Sequence, residues 1–204
     1  MKFDTRDELA SALGLALKPP VIVVTYHPTS LGTASPEDEV AALVTALKQV
    51  DGTLVISCPN ADPGNQVIAR GLRELAGSRQ AAELFTNLGQ HRYYSLLALA
   101  DCMVGNSSSG IWEAPSFHLP VVNIGDRQKG RRRAGNILDV PVESGAILQG
   151  IQQALSVTFR ESFASLTNLY GDGVSASRIV DALKGAATGP RLLQKRFIDA
   201  KRPD

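Results

Sequence analysis

Five short, largely apolar runs punctuate the first 125 residues: VIVVTY (21–26), TLVISC (53–58), AELFTN (82–87), DCMVGN (101–106) and PVVNIG (120–125). Rich in β-branched residues and too short for helices, they read as strands buried on both faces. Helical patterns separate them. SPEDEVAALVTALKQV offers Ser35 as N-cap, Pro36 at the first helical position and acids in the first turn, with Val40, Leu43, Val44 and Leu47 at helical spacing. GNQVIARGLRELAG gathers Val67, Ile68, Leu72 and Leu75 on one face and stops at Gly77, and HRYYSLLALA follows. Strand and helix in alternation demand a parallel sheet covered on both faces and joined by right-handed crossovers. The expectation is an α/β fold, a doubly wound parallel sheet of Rossmann-like type, with residues 1–204 as a single domain. Beyond Asn136 the pattern predicts a short strand ILDV, a helix over Ser144 to Leu155, a helix over Ser175 to Leu183 and a basic final helix RLLQKRFIDA, preceded by the linker-like GAATGP.

Charge narrows the partners. Lys and Arg number 21 against 20 Asp and Glu, so no global field favours a nucleic acid or a membrane surface, and any basic site must be local. The five cations between Arg127 and Arg133 are such a cluster. Cys58 and Cys102 lie far apart without the spacing of a zinc site or a disulfide framework; they read as small buried hydrophobes in a reducing compartment, with no metal implied. The opening MKFDTRDELASALG lacks the apolar core of a signal peptide, and no run approaches the roughly 18 apolar residues that span a bilayer. A soluble, cytoplasmic protein is expected.

In open parallel sheets ligands bind outside the carboxyl ends of the strands, which directs attention to four loops: TYHPTS, CPNADPGN, GNSSSGIWE and GDRQKGRRR. Small residues running into a helix expose unpaired backbone N–H groups at its positive end, an arrangement suited to phosphate. In NSSSG, Ser107, Ser108 and Ser109 add hydroxyl donors and Gly110 lets a ligand approach the backbone; taken alone, Ser109 reads first as an N-cap, and the neighbouring loops turn the reading towards phosphate. Glu113 reads either as an acid complementing the dipole in the first turn of the next helix or as an acceptor for ribose hydroxyls. Arg127 follows the fifth strand closely enough to neutralise a diphosphate, whereas Arg131, Arg132 and Arg133 read first as a solvated loop. His27, held extended by Pro28, can donate to a phosphate or a sugar hydroxyl, or be structural. Asn60 and Asp62 read as turn residues, Trp112, Tyr93 and Tyr94 as core, and YGDGVSAS, which follows no strand, as a cap for the helix at Ser175.

Taken together and in order, VTYHPTS, PNADPG, ADCMVGNSSSGIWEAPSF, PVVNIGDRQKGR, NLYGDGVSASRIV and LLQKRF resemble the C-terminal half of the UDP-N-acetylglucosamine 2-epimerases, most closely the hydrolysing branch. The non-hydrolysing branch carries an arginine-rich motif after the histidine and a DSGG loop, where this chain has HPTS and NSSSG. The resemblance implies one half of a GT-B arrangement, with UDP or UDP-N-acetylglucosamine as ligand and no cofactor. It implies Ser107 and Ser108 at the diphosphate, with Ser109 and Gly110 in the same loop, Glu113 at the ribose, Arg127 at the phosphates or the regulatory side, and His27 and Asn60 at the edge; Asp62 and Arg131 are further candidates. The family reaction eliminates UDP across C1 and C2 to a glycal and adds water to release N-acetylmannosamine, a sialic acid precursor. The acid and base groups for that step belong to an N-terminal half, the expected partner, so no catalytic residue is assigned here and the isolated chain is expected to be inactive. A homo-oligomer is compatible with this picture. The donor half of a UDP-sugar glycosyltransferase and a non-catalytic sensor of sugar nucleotides stand as alternatives.

Overall fold

A computed structural model describes residues 2–29 and 34–194. The chain divides into two compact units, Met1–Leu169 and Tyr170–Asp204. The first is built from α1 (Arg6–Leu13), β1 (Val21–Thr25), α2 (Pro36–Leu47), β2 (Thr53–Ser57), α3 (Asn65–Gly77), β3 (Ala82–Phe85), α4 (Gly89–Leu99), β4 (Cys102–Gly105), α5 (Ser109–Trp112), a 3-10 turn (Ala114–Phe117), β5 (Val121–Ile124), β6 (Ile137–Val140), α6 (Ser144–Ala154) and α7 (Val157–Ser162). The second holds α8 (Ser175–Gly185) and α9 (Pro190–Leu193). Most of the expected final helix lies outside the described residues.

Six strands form one sheet in the order β3-β2-β1-β4-β5-β6, every pairing parallel. Alternation along the strands divides the core between its faces. Ile22, Val24 and Tyr26 of β1 and its end, with Leu54 and Ile56 of β2, face a cluster completed by Leu43 and Leu47 of α2, Leu72 of α3 and Ile151 of α6. Val21, Val23 and Val55 face the opposite cluster, with Leu9 of α1 and Leu96 and Leu97 of α4. Burial on both sides explains the uninterrupted apolar runs, because each strand must satisfy two layers of helices. Only the outer strands β3 and β6 carry exposed positions.

The local signals work as elementary chemistry requires. Ser35 caps α2 by accepting the Asp38 N–H, with Pro36 at the first turn. An additional helix, α7, is capped by Ser156 accepting from Phe159 N–H at 3.2 Å, and it carries Arg160, whose Nη2 donates to the Asp101 carbonyl at 2.6 Å. In the second unit Ser175 begins α8 but does not cap it: Asp172 Oδ1 accepts the Val174 N–H at 3.2 Å and also binds Arg178 Nη1 at 3.2 Å.

Strand order reverses between β1 and β4, which pair from Ile22–Cys102 to Thr25–Gly105. The crossovers from these strands leave in opposite directions and open a crevice at their carboxyl ends. Gly105 marks the spot: its φ is +143°, and a Cβ there would stand 1.9 Å from the Thr25 carbonyl oxygen. Any side chain would wedge the two central strands apart just where the crevice begins.

Candidate nucleotide site at the strand ends

Asn106, fully buried, leaves β4 at this point and ties the crevice together. Its Oδ1 accepts the His27 N–H and its Nδ2 donates to the His27 carbonyl, both at 2.8 Å. Its own carbonyl accepts from Arg127 Nη1 at 3.2 Å and from Gln128 Nε2 at 2.7 Å. One asparagine thereby joins the loops after β1, β4 and β5. Neither Asn106 nor Gln128, which is 1% exposed, stood among the expected site residues, although both lie inside the quoted motifs GNSSSG and GDRQ. An uncharged polar side chain in a loop carries no local mark that separates a hub of hydrogen bonds from an ordinary solvated residue.

The His27 ring is fixed from the β2 side. Its Nδ1 accepts the Asn60 N–H at 3.0 Å, so the neutral ring carries its proton on Nε2, and no described residue takes that proton. Burial, reinforced by the Arg127 charge and opposed by Asp62, lowers the His27 pKa to about 4. At neutral pH the ring is therefore an uncharged N–H donor. Asn60 also donates through Nδ2 to Asp62 Oδ2 at 2.6 Å, so the pair is a turn, as its composition suggests, that supports the histidine.

The serine loop differs in detail from its expected form. The helix it enters is one turn long, ending at Trp112, so Glu113 stands just past its end rather than in its first turn, at the N-terminal side of the 3-10 turn Ala114–Phe117. Ser109 is not the N-cap; it is the first helical residue, and its N–H points to Ser107 Oγ at 3.3 Å. Among the described residues none accepts from the N–H of Ser107 or Ser108. Gly110 is buried, and a Cβ there would meet Val121 Cγ1 at 2.9 Å, so this glycine lets α5 settle on β5 rather than admitting a ligand. The Ser109 hydroxyl pairs with the Tyr93 hydroxyl at 2.6 Å.

Beside this loop opens a cleft of about 400 Å³, within the range of small-molecule sites, bounded by Ser57, residues 86–90, Tyr93, Tyr94 and Glu113. Tyr93 and Tyr94 are half-buried against the α1–α4 core, yet also line this cleft. Trp112, expected in the core, is instead 46% exposed, with the Arg131 guanidinium 4.8 Å over its ring. Arg133 binds Asp139 at 2.7 Å. The basic cluster thus separates: Arg127 turns inward to Asn106, while Arg131 and Arg133 are held by neighbours on the outer side of the loop. Cys102 is buried as expected and Cys58 half-buried, and both are free thiols. Among the described residues no group of His, Cys, Asp and Glu could hold a metal ion, and no helix is long and apolar enough to cross a membrane.

Residues 3–184 match the family model described as UDP-N-acetylglucosamine 2-epimerase. A Campylobacter jejuni protein, GDP/UDP-N,N'-diacetylbacillosamine 2-epimerase (hydrolyzing), is 33% identical over 98% of this chain and 52% of its own length. The UDP-N,N'-diacetylbacillosamine 2-epimerase (hydrolyzing) of Legionella pneumophila is 31% identical over 95% of this chain and 50% of its own. The fold is shared with S. aureus MnaA, solved with UDP, at a TM-score of 0.66 and 19% identity over 89% of this chain and 48% of that one. The chain spans about half the length of the curated relatives it matches.

Proposed function

We propose, for a chain that belongs to the UDP-N-acetylglucosamine 2-epimerase family, that these 204 residues form the UDP-binding half of a hydrolysing sugar-nucleotide 2-epimerase with GT-B architecture. The observation that carries the reading is the cluster at the strand ends. A neutral His27 with a free Nε2–H, the open N–H groups of Ser107 and Ser108, and the Arg127 guanidinium are bound into one unit by Asn106. That is a donor set for an anion of two phosphoryl groups, assembled from charge, hydroxyl and backbone. The adjoining cleft, closed by Glu113, has room for the nucleoside end, and its carboxylate suits two vicinal ribose hydroxyls.

In the complete enzyme the substrate is a UDP-linked acetamido sugar, UDP-N-acetylglucosamine in the simplest case. Loss of the C2 proton and of UDP from C1 gives a glycal, and water adds to release N-acetylmannosamine, a precursor of sialic acid. Our division of labour has the residues described here stabilise the departing UDP, while the groups that move the C2 proton belong to the other half of the enzyme. The free thiols agree with a cytoplasmic setting.

The test is calorimetry with UDP and uridine. UDP binds more tightly, because the loop donors act on the diphosphate and not on the base; equal dissociation constants would remove the assignment. The 204-residue chain alone releases no N-acetylmannosamine from UDP-N-acetylglucosamine, and robust turnover would show that a carboxylate within it, Asp62 or Glu113, moves the proton.

A further inference from the structure

We propose that Tyr93 is a positioning residue for nucleoside diphosphate binding, acting through Ser109. This rests on the UDP reading above and deepens it. Tyr93 stands at the junction of the two halves of the site: its ring lines the cleft that also contains Glu113, and its hydroxyl lies 2.6 Å from Ser109 Oγ in the serine loop. It reaches across from α4, 16 residues away in sequence, so the contact depends on the packing of α4 against the 3-10 turn that follows α5.

The direction of the hydrogen bond follows from acidity. Burial raises the Tyr93 phenol to about 12, so it keeps its proton at neutral pH, and a phenol donates better than an aliphatic hydroxyl. We assign Tyr93 O–H as the donor and Ser109 Oγ as the acceptor, the phenol being the better donor and the poorer acceptor of the two hydroxyls. Ser109 is left with its own proton to give, and no described residue accepts it. A donor polarised by an incoming hydrogen bond is strengthened, and here it is also fixed in direction. The acceptor that suits it is a phosphoryl oxygen held by the N–H groups of Ser107 and Ser108. Tyr93 thus sets the rotamer of Ser109 before the ligand arrives, which removes an ordering cost from diphosphate binding.

The experiment is a double-mutant cycle on the 204-residue chain with Tyr93→Phe, Ser109→Ala and the double variant, titrated with UDP and with uridine, each variant first checked by thermal unfolding. Tyr93→Phe weakens UDP binding roughly two- to twelvefold, the range for one neutral hydrogen bond, Ser109→Ala weakens it roughly ten- to 150-fold, the range for a hydrogen bond to a charged group, and both leave uridine binding unchanged. The double variant is no weaker than the worse single. Full UDP affinity in Tyr93→Phe, equal losses for UDP and uridine, or losses that multiply in the double variant would each overturn the proposal. Should Tyr93→Phe not fold, Ser109→Ala decides: wild-type UDP affinity in it overturns the proposal as well. If the wild-type chain itself fails to distinguish UDP from uridine, the UDP reading falls, which is a separate result.

Discussion

Asn106 grips the backbone of His27 on both sides, accepting its N–H and donating to its carbonyl, each at 2.8 Å, across the point where the strand order reverses. A single residue 79 positions away in sequence thus sets where the histidine stands. Replacing Asn106 with Ala leaves two backbone groups without partners in a buried place, at about 1–3 kcal/mol each. We expect the unfolding free energy to drop by about 2–6 kcal/mol, read from urea denaturation. An unchanged midpoint would show that water replaces the clamp.

His27 governs a pH window. Its folded pKa of about 4 lies below the ordinary histidine value, so the unfolded chain takes up the proton first as pH falls. Its contribution is therefore complete above about pH 6.5 and is lost as pH drops towards 4. Thermal unfolding between pH 7 and 4 should show a smaller decline in His27→Gln than in wild type, beyond what the carboxylates impose on both. His27 of the ligand-free chain should contribute no titration near pH 6.5, so a change of UDP affinity in that range belongs to the terminal phosphate of UDP, whose second ionisation lies at about pH 6.

Arg127 and Arg131 should behave oppositely despite lying four residues apart. Removing the Arg127 guanidinium takes a charged donor from the diphosphate, and Arg127→Ala should weaken UDP roughly ten- to 150-fold while flattening the salt dependence of binding. Arg131→Ala removes a stacking contact on exposed Trp112, at about 0.5–1 kcal/mol of stability, and should leave UDP affinity unchanged. Titrations at two potassium chloride concentrations separate the two.

Glu113→Gln retains size and one acceptor and removes the charge. If the carboxylate receives both ribose hydroxyls, UDP binds roughly ten- to 150-fold more weakly. The control is 2′,3′-dideoxy-UDP, which offers Glu113 nothing. An equal difference between wild type and variant for that analogue would eliminate the ribose contact.

The alternation of strands and amphipathic helices was legible in the central strands, because strands covered on both faces must be apolar throughout and helices covered on one face must repeat at helical spacing, whereas the exposure of β3 at the sheet edge and the short helix α7 were not. Caps such as Ser35 and Pro36 were legible for the same local reason. Loops at the strand ends were legible as a place, since parallel topology alone directs them to one edge of the sheet. Their internal wiring was not. Whether Ser109 caps a helix or meets Tyr93, whether Gly110 faces a ligand or Val121, and whether Trp112 is core or surface depend on which helix packs where. The tautomer of His27 depends on a backbone N–H 33 residues away, and the site's hub, Asn106, makes its contacts at separations of 79, 21 and 22 residues. Periodicity reports what a segment does with its nearest neighbours. Hydrogen-bond partners across loops are chosen only when the sheet has brought the strand ends together, and that choice belongs to the tertiary structure.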